Sequence, residues 1–225
     1  MKKNNNQDYI YIVLVKAMTG LGKFARKFSK YEYTHIAVCL NDKLDDFITF
    51  SRKKHYTPFD SGFMHETMDC YAFGNSEKIK LKIFKVPVTL DSKQSIIKYI
   101  SKIENDKDYI FNLYSMATMS LFHGFRIYKA LNCMSFVSKI IELSNSVSMS
   151  KKYYKYNIKE LDILLSNYKY KEDYFYKTKI ENKNYMDKVS FVSNILMFFK
   201  LNGKLLHRIF SKRETPGKGQ DRNYE

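Results

Sequence analysis

The chain has 225 residues, 39 Lys and Arg against 23 Asp and Glu (a formal net charge of +16), and 44% hydrophobic residues. This suits one domain with a substantial core, and no run approaches the ~20 apolar residues of a membrane span. Cys39, Cys70 and Cys133 are widely spaced and form no CxxC pair, which argues against a zinc knuckle, a thioredoxin-type site or a disulfide framework and for reduced thiols in a cytoplasmic protein.

Residues 1–7 read as disordered. "YIYIVLVKA" (9–17) reads as a buried strand. Two lysines precede it, but the apolar stretch is short, β-branched and aromatic, with no small-residue cleavage site behind it. A first strand rather than a signal peptide is predicted, and no export by the general secretory route. "TGLGKFARKFSKY" (19–31) spaces Leu21, Phe24, Ala25 and Phe28 as a short basic helix. It lacks the GxxxxGK[ST] spacing of a phosphate loop. "YTHIAVCL" (33–40) and "DDFITFS" (45–51) flank the turn "NDK" and form a hairpin. Residues 52–74 show no period and contain Pro58, Gly62 and Gly74, so a long ordered loop is predicted there.

"KIKLKIFKVPV" (78–88) alternates as a strand, and Asp91 is expected to cap the helix that follows, with Gln94 completing a capping box. Residues 109–124 read as a helix or a mixed apolar segment in which His123, beside Gly124, ends a helix. A helix from Cys133 to near Asn145, another over 157–168, and an edge strand in "YKEDYFYKT" follow. The predicted class is α+β, a small antiparallel sheet packed against helices with a basic C-terminal helical extension. The expected layout is a main unit at 8–170, an extension at 171–213 and a disordered tail at 214–225.

Chemistry concentrates on Cys133 and His35. A thiol at a helix start gains from the positive helix end, which favours thiolate. His35 opens a strand, where its ring can face what packs on the sheet. A hairpin turn centred near Asp42 places Thr49 opposite His35, with Ser51 a same-face neighbour, so either hydroxyl is a candidate to orient the imidazole. Cys39 reads as core. His55, His65 and Glu66 form a weak alternative metal cluster, and no metal or cofactor is predicted.

The blocks "THIAVCL", "ITFSRK" and "TPFDSGF" followed by Glu66, and much later "CMSFV", resemble the circularly permuted branch of the NlpC/P60 papain-like cysteine hydrolases, in particular its low-GC Gram-positive members. The resemblance covers about residues 9–170. It implies a papain-like fold, His35 as base, Cys133 as nucleophile, and a third polar residue at Thr49 or Ser51. Arg52 carries over at the mouth of the site or as an anchor of the next loop, and Glu66 as a loop clamp or a site acid, both near the substrate. The implied chemistry is hydrolysis or acyl transfer at an amide or ester through an acyl-enzyme. The alternative is a non-enzymatic basic module, on a fold whose site has decayed, that binds anionic lipid or nucleic acid.

The positive charge reflects in part a bias toward Lys, Asn, Ile and Tyr, and otherwise implies attraction to polyanions. Lysines and tyrosines interleave in 151–160 and 167–179, but no nucleic-acid-binding signature accompanies them, so nucleic acid is disfavoured as a partner. Residues 185–213 either lie as an interfacial helix on an anionic membrane or pack on the domain with a basic outer face. Partners are therefore a peptide or acyl-bearing substrate and, through 185–213, a membrane surface. An acyl-lipid substrate would follow from the second, as in the lecithin–retinol acyltransferase relatives of the implied fold.

Overall fold

A computed structural model describes residues 7–17, 26–27, 30–72, 76–178 and 184–211. Residues 1–6 of the disordered stretch predicted at 1–7, the tail at 214–225 and most of the basic helix predicted at 19–31 lie outside the described residues, while Gln7 already belongs to the first strand. The architecture is α+β, built on one antiparallel six-stranded sheet in the order Ser61–Glu66, Phe47–Arg52, His35–Cys39, Gln7–Val15, Lys78–Thr89, Lys169–Tyr176.

β1 (Gln7–Val15) is apolar at successive positions because it lies inside the sheet, paired with β2 (His35–Cys39) on one side and β5 (Lys78–Thr89) on the other. Both of its faces are covered. Ile10, Ile12 and Leu14 share one core with Ile96 and Ile100 of α1 (Leu90–Asn105) and with Phe136, Val137 and Ile140 of α4 (Cys133–Ser144). Tyr11, Val13 and Val15 face the other way, under Met68, Cys70, Tyr71 and Tyr185. A strand buried on both faces reads as a continuous apolar run rather than an alternation.

β2 and β3 (Phe47–Arg52) form the expected hairpin, but Val38 pairs with Ile48. This is two positions off the expected register and brings Ser51, not Thr49, level with His35. The segment 52–74 is not one long loop. It contains β4 (Ser61–Glu66), paired with β3 from Phe47↔Glu66 to Arg52↔Ser61, and a short 3₁₀ turn over Met68–Cys70. "SGFMHE" hides its strand because one face of an edge strand is wet, and its inward residues include Gly62 and Glu66. Asp91 is not the helix cap either: Thr89 takes that place, its hydroxyl accepting from the Ser92 N–H at 3.1 Å.

The apolar segment at 109–124 divides into β6 (Ile110–Phe111), α2 (Leu113–Ala117) and α3 (Met119–Phe122). His123 ends α3 in the left-handed region at φ 51°. Gly124 follows at φ +74°, and a Cβ there would lie 2.1 Å from the Tyr154 carbonyl oxygen. Gly124→Ala is therefore expected to destabilise the fold by about 1–3 kcal/mol, checked by the urea unfolding midpoint. β6 pairs in parallel with β7 (Ala130–Leu131), which runs directly into α4. After α5 (Ile158–Leu164) comes the predicted edge strand, β8 (Lys169–Tyr176), which pairs with β5. The expected unit boundary at 170 thus falls inside a strand of the main sheet.

The last element, α6 (Phe191–Ser211), packs on the β6–β7 pair through Leu201 and Leu205 against Ile110, Ile127 and Ala130. Polar contacts hold it there. Arg208 donates to the Lys129 and Asp108 carbonyls at 2.8 and 2.6 Å, and the Tyr114 hydroxyl donates to Asn202 Oδ1 at 2.7 Å. Among the described residues no helix is long and apolar enough to cross a membrane.

Candidate active site

α4 begins where the sequence supplies a cap. Asn132 Oδ1 accepts from the Ser135 N–H at 2.9 Å, and Ser135 Oγ accepts from the Asn132 N–H at 3.0 Å, a reciprocal box that closes two of the helix's orphan donors. Cys133 is the first helical residue. Its own N–H and that of Met134 precede the first intrahelical bond, Phe136 N–H to the Asn132 carbonyl at 2.9 Å. Asn132 is fully buried, and its Nδ2 has no hydrogen-bond partner among the described residues.

His35 opens β2 at the end of the sheet where α4 begins. Its Nε2 lies 2.8 Å from Glu66 Oε2, with side-chain exposures of 14% for His35 and 3% for Glu66. Since Nε2 is engaged by the carboxylate, Nδ1 is the nitrogen left for Cys133. Burial depresses the His35 pKa, but the Glu66 charge and hydrogen bonding to Cys133 and Glu66 more than reverse this and raise it to about 10. Burial pushes Glu66 up, yet the His35 charge and donors from His35, Ser51 and Tyr71 hold its carboxyl below the usual range. The consistent state at neutral pH is an imidazolium–carboxylate pair.

Around the carboxylate, the Tyr71 hydroxyl donates to Glu66 Oε2 at 2.7 Å and Ser51 Oγ donates to Oε1. The Tyr71 ring also packs 5.7 Å from that of His35. A buried charge is tolerable only when its oxygens are satisfied in this way. Burial first, and then the neighbouring Glu66 charge, raise the Tyr71 pKa, so its hydroxyl remains a donor.

The structure thus brings together Cys133, His35, Ser51 and Glu66, and corrects three expected roles. Thr49 does not orient His35: it is fully buried, and its hydroxyl donates to the Ile36 carbonyl at 2.8 Å, stapling β3 to β2. Ser51 acts one step back, on Glu66. Glu66 is not positioned for substrate, because it lies beneath His35 as the imidazole's partner. Arg52 anchors the next turn, donating from Nη1 to the His55 carbonyl at 2.9 Å. The alternative metal cluster does not form. His65 turns outward to Asp46 at 2.8 Å and to Glu104 at 3.2 Å, while Glu66 points to the opposite face.

Cys39 is fully buried, as expected of a core thiol, and Cys70 is 2% exposed; both lie on the sheet face away from α4. Sequence reasoning missed Tyr71, whose only signal was an aromatic residue soon after the acidic one, and Asn132, visible as a cap three residues before Ser135. Two open clefts on the surface, of about 450 and 590 Å³, lie elsewhere, one beside Lys16, Lys80 and Tyr174 and the other beside Lys129, Lys204 and Arg208. Cys133 itself is 7% exposed. Compared with known proteins, the chain matches no family model, no curated protein and no solved structure.

Proposed function

We propose that the protein is a cysteine hydrolase or acyl transferase of the permuted NlpC/P60 type, with Cys133 as nucleophile, His35 as acid and base, and Glu66 as the group that orients and charges His35. The observation that carries this reading is the buried Glu66 carboxylate 2.8 Å from Nε2 of a histidine that also interacts with the thiol of Cys133 at a helix start. Against the decayed-site alternative, the histidine keeps a buried acidic partner, Glu66, 2.8 Å from its Nε2.

In this mechanism Cys133 Sγ attacks the carbonyl carbon of an amide or ester, and the oxyanion is received by the N–H groups that open α4. The tetrahedral intermediate collapses as His35 Nδ1 delivers its proton to the leaving nitrogen or oxygen, which leaves a thioester on Cys133. Neutral His35 then takes a proton from water or another acceptor as it attacks the thioester. The product acid or transferred acyl group departs, and the sulfur recovers its starting state. Glu66 stays ionised throughout and stabilises the imidazolium.

The test is intact-mass analysis after brief exposure to p-nitrophenyl acetate, followed by acid quench. The expected result is one acetyl group, mapped to Cys133, that decays on standing and is absent in Cys133→Ser. A wild-type protein that releases no p-nitrophenolate above the Cys133→Ser background would overturn the assignment.

A further inference from the structure

We propose that α6 docks the protein, lying flat, on an anionic lipid surface. The helix carries two apolar stripes, and the fold consumes only one. Leu201 and Leu205, 6% and 0% exposed, face the domain. A second row, Val192, Leu196 and Phe199, resumed two turns on by Leu206 and Phe210, lies along one side of the helix and is 65, 63, 66, 44 and 60% exposed. At 3.6 residues per turn this row lies roughly 150° round the helix from Leu201 and Leu205, which puts it on the outside. A helix that merely packs on its own domain exposes polar residues there. Of the two expected arrangements, a basic outer face does not fit, because the outer face is apolar with a basic border.

The border selects the partner. Lys200, Lys204 and His207 follow one edge of the row, and the sequence has no acidic residue between Asp187 and Glu214. Beside that edge opens the cleft of about 590 Å³, where Lys204, His207 and Arg208 meet Tyr128, Lys129 and Asp108. Apolar side chains inserted at the acyl boundary, with cations level with the headgroups, are what an anionic bilayer surface accepts. A second copy of the chain fits less well. It would set like-charged lysine borders against each other on a protein of net charge +16. The helix does not span, since none of the described helices is apolar enough to cross.

The same helix touches the site end of the sheet. The Phe198 ring packs 4.9 Å from that of Phe59, in the β3–β4 turn that follows Ser51 and Arg52. A docked α6 therefore holds that turn beside the lipid surface. The docking does not rest on the reaction assigned to Cys133, and Cys133→Ser is expected to bind vesicles as wild type does.

The chain contains no tryptophan, so Phe199→Trp makes a single reporter on the outer row. The experiment adds phosphatidylcholine vesicles, with or without phosphatidylserine, to the full-length Phe199→Trp protein and records emission, alongside vesicle sedimentation of wild type, Leu196→Glu/Leu206→Glu and Lys200→Glu/Lys204→Glu. The expected result is a blue shift and co-sedimentation with the anionic vesicles only, with partitioning weakened about tenfold or more by each double substitution. The substituted positions are exposed, and far-UV circular dichroism with an unchanged melting temperature confirms that each variant is folded. Equal sedimentation of all three proteins would overturn the proposal. So would an unshifted tryptophan on anionic vesicles, or a dimer in sedimentation equilibrium without lipid that the Leu196→Glu/Leu206→Glu substitution dissolves.

Discussion

Iodoacetamide at about pH 6 is expected to alkylate Cys133 rapidly in the wild-type protein and about tenfold to a hundredfold more slowly in His35→Ala. An isolated thiol with pKa ~8.5 is under ~1% thiolate at that pH, so fast alkylation there requires a neighbour that stabilises the anion. In the proposed mechanism His35 is that neighbour: its imidazolium is sustained by Glu66 at Nε2, and it interacts with Cys133. Peptide mapping separates the site from background, since Cys39 and Cys70 are 0% and 2% exposed and burial raises the Cys39 pKa further. The Cys133→Ser protein supplies the residual rate. Equal alkylation rates in wild type and His35→Ala would mean that the histidine does not act on the thiol, and the catalytic reading would fall with it.

Glu66→Gln is expected to cost about 1.5–3 kcal/mol of stability near pH 6, with a cost that shrinks toward both acid and alkali. The sign follows from the two shifts. His35 has a raised pKa, so its contribution is fully present below its ordinary value of 6.5 and is lost as pH rises toward and through about 10. Glu66 has a lowered pKa, so its contribution is present above its ordinary value of 4.5 and is lost as pH falls through its lower value in the folded protein. Both are complete only between those ordinary values, and there the gap between wild type and variant should be widest. Urea unfolding midpoints of the two proteins across the pH range measure it. A gap that stays constant from acid to alkali would show that Glu66 acts as a neutral hydrogen-bond acceptor rather than as the counter-ion of His35. The same substitution should slow Cys133 alkylation, which a purely structural glutamate would not do.

These outcomes bear on how the site was legible. Cys133 and His35 could be named from short local text: a thiol at the first position of an amphipathic helix, and a histidine at the start of an apolar strand. The cap was equally local, because Asn132 and Ser135 stand three apart and close on each other. The histidine's partner was not legible. Thr49 and Ser51 drew attention because they lie on the next strand, and a register error of two residues decides which of them stands level with His35. Glu66 was visible as an acidic residue after "TPFDSGF", but its role depended on β4, a strand whose wet face and inward glycine hide its alternation.

Taken alone, the sequence determined the features set by neighbours along the chain. These were the inner strand from its continuous apolar run, the hairpin from its turn, the helices from their period, the thiol at the head of α4, and the excess of positive charge. Tertiary structure alone decided everything that needed two distant segments to meet. It placed Glu66 beneath His35 across 31 residues of chain. It withdrew Thr49 into the sheet and moved Arg52 onto the His55 turn. On α6 it chose Leu201 and Leu205 as the buried stripe and left Phe199 and its row outside. The physical reason is common to all of these. Periodicity and capping are energies of adjacent residues and can be read in order, whereas pairing register, the satisfaction of a buried charge, and the choice between two apolar stripes are settled only by the surface that each segment finally meets.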